Sequence, residues 1–187
     1  MEIMKGFRNL ASLIYRCFVP LDKVKMYRKM GVKIGDGCIF RGTSMLDYSH
    51  YWLIEIGCNV RLATGVHIMA HDGTMAFKNG YGKIAKVIIE DNVSIGVNSI
   101  ILPGIKIGKN TIIGAGSIVT KNIPENSIAT GNPARVIGRY DEFINKHREN
   151  LKTKPVFSDE YKLQNVKNNR EKMQKMKDIL GDDIGYI

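Results

Sequence analysis

Few side chains in this sequence can do acid–base or nucleophilic chemistry, and one of them is marked out by its position. The chain has four histidines (His50, His67, His71 and His147) and three cysteines (Cys17, Cys38 and Cys58). His71 sits in the run Gly65-Val66-His67-Ile68-Met69-Ala70-His71-Asp72, where a regular pattern stops and an irregular stretch begins. An imidazole has a reference pKa of about 6.5, so a partly exposed one is mostly neutral at pH 7 and can take a proton from a hydroxyl or an amine. The cysteines are odd in number and form no CxxC pair, which suggests neither a disulfide framework nor a zinc-thiolate cluster. A reducing cytoplasm is their expected home.

The regular pattern has a period of six. Ile89, Ile95, Ile101, Ile107, Ile113 and Val119 follow one another at that interval. Three residues after each comes Asn92, Asn98, Gly104, Asn110, Gly116 or Asn122, residue types that accept positive φ at low cost. Four residues after each comes Val93, Ser99, Ile105, Thr111, Ser117 or Ile123, small or β-branched as a tightly wound strand face requires. Each block therefore reads as a short strand and a corner, and the whole as a solenoid of short parallel strands. The ladder continues upstream through Ile56, Leu62 and Ile68, with corners at Asn59 and Gly65, and more faintly through Ile34, Phe40 and Leu46, with Gly37 at a corner. Coils about 4.8 Å apart would stack into a prism roughly 20 Å tall.

Two interruptions break the phase, one in the ten residues from Leu46 to Ile56 and one in the twenty-one from Ile68 to Ile89. His71 takes the corner place that follows Ile68, where the pattern asks for Gly or Asn. A departure from a repeat's own rule is where function is expected, and the competing reading is a histidine that merely starts the loop. His67 falls at an outward position and His50 at the small-residue position of a poor block, which favours surface or packing roles. His147 reads as part of a solvated tail.

With 44% apolar and 25% charged residues over 187 positions, the composition is that of a folded globular domain and excludes a disordered or collagenous chain. The early apolar stretch from Phe7 to Leu21 contains Arg8 and Arg16 and lacks a small-residue cleavage site, so it reads as neither a spanning helix nor a signal peptide. Phe7, Leu10, Ala11, Ile14 and Phe18 share one helical face, and Leu21 to Met30 reads as a second helix stopped by Gly31. The net charge of +10 is concentrated in residues 1–33, with eight Lys/Arg against two acids, while residues 34–134 hold eight against seven. A solvated helix face is one reading of that basic segment, and contact with the anionic inner face of a membrane is the other. No aromatic-interleaved basic groove points to nucleic acid. Three regions follow: a basic helical segment over 1–33, the repeat over 34–134 with a loop insertion at about 72–86, and a helical tail over 135–187. In the tail, Asp141 is expected to cap a helix through Leu151, and Ser158 another through Leu180.

The run from Val87 to Ile137, with Ile113-Gly114-Ala115-Gly116-Ser117-Ile118-Val119-Thr120-Lys121 and Gly131-Asn132-Pro133-Ala134-Arg135-Val136-Ile137, resembles the hexapeptide-repeat sugar O-acetyltransferases, among them the galactoside and maltose enzymes. Surface-polysaccharide acetyltransferases share it, and their histidine-aspartate motif is similar to His71-Asp72. The resemblance implies a left-handed parallel β-helix with flanking helices, assembled as a homotrimer. It implies direct transfer from acetyl-CoA to a sugar, with His71 as general base and Asp72 beside it. Ala115, Thr120, Lys121 and Arg135 match positions that line the CoA groove, the two cations nearest the phosphates. Asp47 matches a family aspartate on the acceptor side. Tyr81 stands on that side too, following Lys78-Asn79-Gly80 where the galactoside branch has an acidic residue.

Three other readings share the sequence. An amino sugar could replace the hydroxyl acceptor, since the same base serves both. A zinc hydratase of the γ-carbonic-anhydrase type would need three histidines, to which His67 and His71 could contribute two and His50 the third. A non-catalytic scaffold would bind no acetyl-CoA, and the retained C-terminal motif and out-of-pattern His71 stand against it.

Overall fold

The structure is a computed structural model that describes residues 22–187. The helix expected around Phe7 to Phe18 lies outside the described residues. Helix α1 (Lys23–Lys29) is capped by the Asp22 carboxylate, which accepts from Lys25 N at 3.0 Å, and the chain leaves it through Gly31 at φ +92°. Its buried Tyr27 accepts from Leu46 N at 3.1 Å, which ties the helix to the first strands.

The chain then visits three sheets in rotation. β1 (Lys33–Ile34), β2 (Ile39–Phe40) and β3 (Met45–Leu46) found one sheet each, and β4 (Ile54–Ile56), β5 (Arg61–Leu62) and β6 (His67–Ile68) pair with them in the same order. After β6 the chain departs through β7 (His71–Asp72), α2 (Ala76–Asn79) and β8 (Lys83–Ile84), with β7 and β8 paired antiparallel. Rotation resumes with β9 (Val87–Ile89), β10 (Val93–Ile95) and β11 (Ile100–Ile101), then β12 (Lys106–Ile107), β13 (Thr111–Ile113) and β14 (Ile118–Val119). Pairing between passes is parallel and aligns the six-residue ladder: Ile34 with Ile56, Ile89 and Ile107; Phe40 with Leu62, Ile95 and Ile113; Leu46 with Ile68, Ile101 and Val119. Those aliphatics are almost all buried and form one continuous core.

Positive φ appears at Gly37, Asn59, Gly65, Asn92, Asn98, Gly104, Asn110 and Gly116, each a corner of the six-residue pattern. The amides of Asn59, Asn92 and Asn110 also stack, each donating to the next at 3.1 and 3.0 Å, so the corners bond to one another as well as turning the chain. Two corner expectations do not hold. Asn122 keeps an ordinary φ and instead accepts from Lys106 N at 2.8 Å, and the left-handed residue of that last pass is Asn126. His71 is extended and paired with Ile84, because the loop draws the chain outward as an antiparallel pair before any corner is made.

Gly131, Asn132 and Pro133 follow the last pass and turn the chain. They reverse it, so that β16 (Ala134–Arg139) returns antiparallel along β15 (Ser127–Gly131), and the unit built on the sheets extends to Tyr140. The remainder, residues 141–187, is a separate unit carrying most of α3 (Tyr140–Thr153) together with α4 (Leu163–Val166) and α5 (Arg170–Leu180). A single helix from Ser158 to Leu180 is not formed. Asn168 and Asn169 favour a cap over a helix interior, and the Asn169 side chain accepts from Lys172 N at 2.9 Å to start α5 afresh.

Candidate active site

The two interruptions leave from the same place in the stack. Leu46 and Ile68 are register partners, so the segment after Leu46 and the segment after Ile68 begin side by side, joined by Asp47 N donating to Ile68 O at 2.8 Å. Asp47, 24 residues from His71 in sequence, meets it there. Asp47 Oδ1 accepts from Ser49 N (2.9 Å), Ser49 Oγ (2.9 Å) and His50 N (3.0 Å). Its Oδ2 accepts from Ala70 N (2.8 Å), His71 N (3.0 Å) and His71 Nδ1 (2.5 Å).

Burial by itself would raise the pKa of this carboxyl, but the bonds from His71, Ala70 and Ser49 outweigh it and hold the group well below the usual carboxylate range. Asp47 is therefore an anion in a fully enclosed position. An acceptor-only group at 2.5 Å from His71 Nδ1 assigns the imidazole proton to Nδ1 and leaves Nε2 with a lone pair. The His71 side chain keeps 24% of its surface exposed and that of Asp47 none, which decides which of the two can meet a substrate. His71 lines a cleft of about 410 Å³ with Met69, Lys83, Leu102, Pro103 and Thr120. A neutral base oriented by a buried anion and open to a cleft can accept a proton from a bound nucleophile.

The residues singled out from the sequence fall into two groups. Thr120 joins His71 in the same cleft, whereas Ala115 lines another, of about 430 Å³, with Arg41, Arg61 and Gly96. Lys121 and Arg135 are exposed cations on the turn after β14 and on β16. Tyr81 is 78% exposed on the loop, and it is Lys83 that reaches the cleft. One assignment is corrected by the geometry: Asp47 lies beneath His71 and not on an acceptor surface, because its carboxylate is turned inward onto six donors. Asp72 lines the same cleft as His71, with its carboxylate held by Thr74 N and Oγ1 at 2.9 and 2.5 Å while Asp47 takes His71 Nδ1.

Ser49, which the sequence did not single out, and His50, read there as a surface or packing residue or a third metal ligand, both belong to the site. Ser49 Oγ lies 2.9 Å from His50 Nδ1, and the His50 ring lies 5.3 Å from that of His71. Their signal was the first interruption itself, a short irregular run leaving the ladder at the position where the longer one leaves a pass later. Among the described residues a metal-compatible grouping is formed by Asp47, His50 and His71, and His67 is not in it. The three-histidine set of a zinc hydratase is thus not assembled, and both oxygens of Asp47 are already engaged by N–H and O–H donors.

A family model described as the hexapeptide repeat of succinyl-transferase matches residues 86–121. The chain is 41% identical over 158 residues to Protein CapG of Staphylococcus aureus, covering 80% of this chain and 90% of that protein. It is 33% identical over 142 residues to a galactoside O-acetyltransferase of Lactococcus lactis subsp. lactis, covering 63% of this chain and 67% of that one. Among solved structures, the polySia specific acetyltransferase NeuO superposes with a TM-score of 0.52 at 31% identity, over 58% of this chain and 52% of that chain. With relatives aligned over most of their length and the repeat recognised on its own, the chain belongs to the hexapeptide-repeat acetyltransferases and is an acyltransferase that draws its acetyl group from acetyl-CoA.

Proposed function

We propose that this enzyme acetylates a hydroxyl of a sugar or surface-polysaccharide precursor by direct transfer, with His71 as general base. The observation that carries the reading is the buried Asp47 carboxylate holding His71 Nδ1 while the rest of the ring faces a cleft. Nε2 takes the hydroxyl proton as the oxygen attacks the thioester carbonyl, and Asp47 stabilises the imidazolium that forms. The tetrahedral intermediate then collapses by breaking its C–S bond, and the proton passes from His71 to the departing CoA sulfur. No enzyme nucleophile is required. A screen of glycosides and nucleotide sugars for release of CoA from acetyl-CoA tests this, and turnover with amines alone would replace the hydroxyl acceptor with an amino sugar.

The left-handed β-helix is part of the same proposal, supported by the family membership and by the rotation of the chain among three sheets. So is a homotrimer. The outer positions of the later passes carry Ile112 and Ile128 on the second sheet and Ile100 and Ile118 on the third, while earlier passes of the second show Arg61 and Ser94 and the first sheet mixes Lys33, Glu55 and Lys106 with Ile88. Apolar outer residues on the later passes of two sheets fit a closed assembly that uses those passes. Light scattering at micromolar concentration is expected to give three times the chain mass of 21.0 kDa, and an active monomer would overturn the assembly.

Thr120 and Ala115 stand at the edges of clefts that neighbouring subunits would share, and we place CoA along them, with Lys121 and Arg135 toward its phosphates. A cation on a phosphate contributes the same binding to ground state and transition state. Lys121→Ala or Arg135→Ala is therefore expected to raise the acetyl-CoA KM about tenfold with kcat nearly unchanged, as two-substrate kinetics would show. A change confined to the acceptor KM would move CoA elsewhere. Among the described residues no helix is long and apolar enough to cross a membrane. We place the enzyme in the cytoplasm, with the basic residues 1–33 offered to the anionic inner face of the membrane.

A further inference from the structure

The first interruption supplies more than the aspartate. Ser49 Oγ lies 2.9 Å from Asp47 Oδ1, 2.9 Å from His50 Nδ1 and 3.1 Å from His71 Nδ1. A serine hydroxyl has one proton to donate. His71 already directs its Nδ1 proton to Asp47 Oδ2, and the acceptor-only Oδ1 claims the serine proton, so Ser49 Oγ accepts from His50 Nδ1–H. His50 is thereby held in the same tautomer as His71, with a lone pair on Nε2. Both rings turn Nδ1 toward one hydroxyl, with centroids 5.3 Å apart and planes tilted by 37°, so both turn Nε2 away from the buried carboxylate.

Two neutral acceptors side by side fit two neighbouring O–H donors, and the adjacent hydroxyls of a sugar ring are such a pair. Against His50 stands Trp52, 5.2 Å away between ring centroids and 58% exposed. Its exposed face is apolar at the centre and suits the C–H face of a pyranose. Resting on the sugar-acetylation reading above, we propose that His50 is a specificity-determining residue. Its Nε2 accepts a hydrogen bond from the hydroxyl adjacent to the one His71 deprotonates, and the acceptor ring lies on Trp52. The acceptor class is then a pyranoside with vicinal hydroxyls, and His50 selects which of them is acetylated.

Trp52 is the one tryptophan in the chain, so its emission reports this subsite directly. The full chain carrying His71→Asn is titrated with methyl galactopyranoside, methyl glucopyranoside and their monodeoxy derivatives, and CoA release by the wild type is measured with the same compounds. The expected result is a saturable change in emission, with Kd and kcat/KM about tenfold or more worse when the neighbouring hydroxyl is missing, because the His50 acceptor then loses its donor. His50→Phe keeps a ring against Trp52 but has no nitrogen, and it brings the parent glycoside down to the level of its deoxy derivative. His50→Gln offers an acceptor oxygen and recovers part of the preference. If His50→Phe weakens parent and deoxy compounds by the same factor, or affects neither, the inference is overturned while sugar acetylation stands. If no glycoside moves the emission or releases CoA, the inference and the sugar reading fall together.

Discussion

His71→Asn is expected to lower kcat by about 10²–10⁴, the share of a positioned general base, while the subunit assembly and the acetyl-CoA KM are kept. Asparagine is the informative replacement because its side-chain amide can occupy the place of Nδ1–H. It can still donate to Asp47 Oδ2, so the buried carboxylate is not left unpaired, and only the nitrogen that faces the cleft is lost. Asp47 stays ionised at neutral pH, since its pKa is held below that of an ordinary carboxyl, so the anion beneath residue 71 is present in the wild type and the variant alike. Retention of more than about a tenth of wild-type kcat with a true acceptor would return His71 to the role of a residue that merely begins a loop.

Asp47→Asn has the second largest expected effect, and it strikes both rate and stability. Whichever way the new amide is turned, its NH2 group faces backbone N–H donors, either those of Ala70 and His71 or those of Ser49 and His50. Placing a buried donor against donors costs about 1–3 kcal/mol, and the imidazole loses the anion that fixes its tautomer. A fall of about 10²–10⁴ in kcat follows, with acetyl-CoA binding intact in any protein that remains folded. The sign of the acid response follows from the depressed folded-state pKa. The carboxylate contributes stability above its unfolded pKa of about 3.9, and that contribution is lost as pH falls toward the folded value. Thermal melts of the wild type should therefore drop below about pH 4 by more than those of Asp47→Asn. The double variant should be hardly slower than His71→Asn alone, because the two residues act as one unit. A fully additive loss, or an Asp47→Asn enzyme at a third or more of wild-type kcat, would separate Asp47 from the base.

The ladder from Ile34 to Val119 was legible in the sequence because inward aliphatics and Gly or Asn corners recur at one fixed interval, and a fixed interval stacks like on like whatever the remaining side chains are. The same regularity exposed both interruptions and drew attention to His71. Repetition says nothing about where the repeat is broken, and the site lies where it is broken. Asp47 and His71 meet because Leu46 and Ile68 are register partners, a pairing that depends on how many residues the first interruption adds between them.

From the sequence Asp72 stands beside His71, and nothing there says which group orients the ring. Residues one pass apart in adjacent strands lie side by side, so the distant Asp47 takes His71 Nδ1 while the Asp72 carboxylate is held by Thr74. Ser49 was hidden, and His50 read as a surface or packing residue, for the same reason, since both lie in an irregular run that carries no period to read. The end of the repeat shows a second limit, since Gly131-Asn132-Pro133 signals a turn but not its direction. Pairing of β16 with β15 turned it back. The sequence by itself determined the strands, their corners and the histidine that leaves the pattern. Only the tertiary structure decided which acid lies beneath that histidine, because that contact is set by register between passes and not by neighbourhood along the chain.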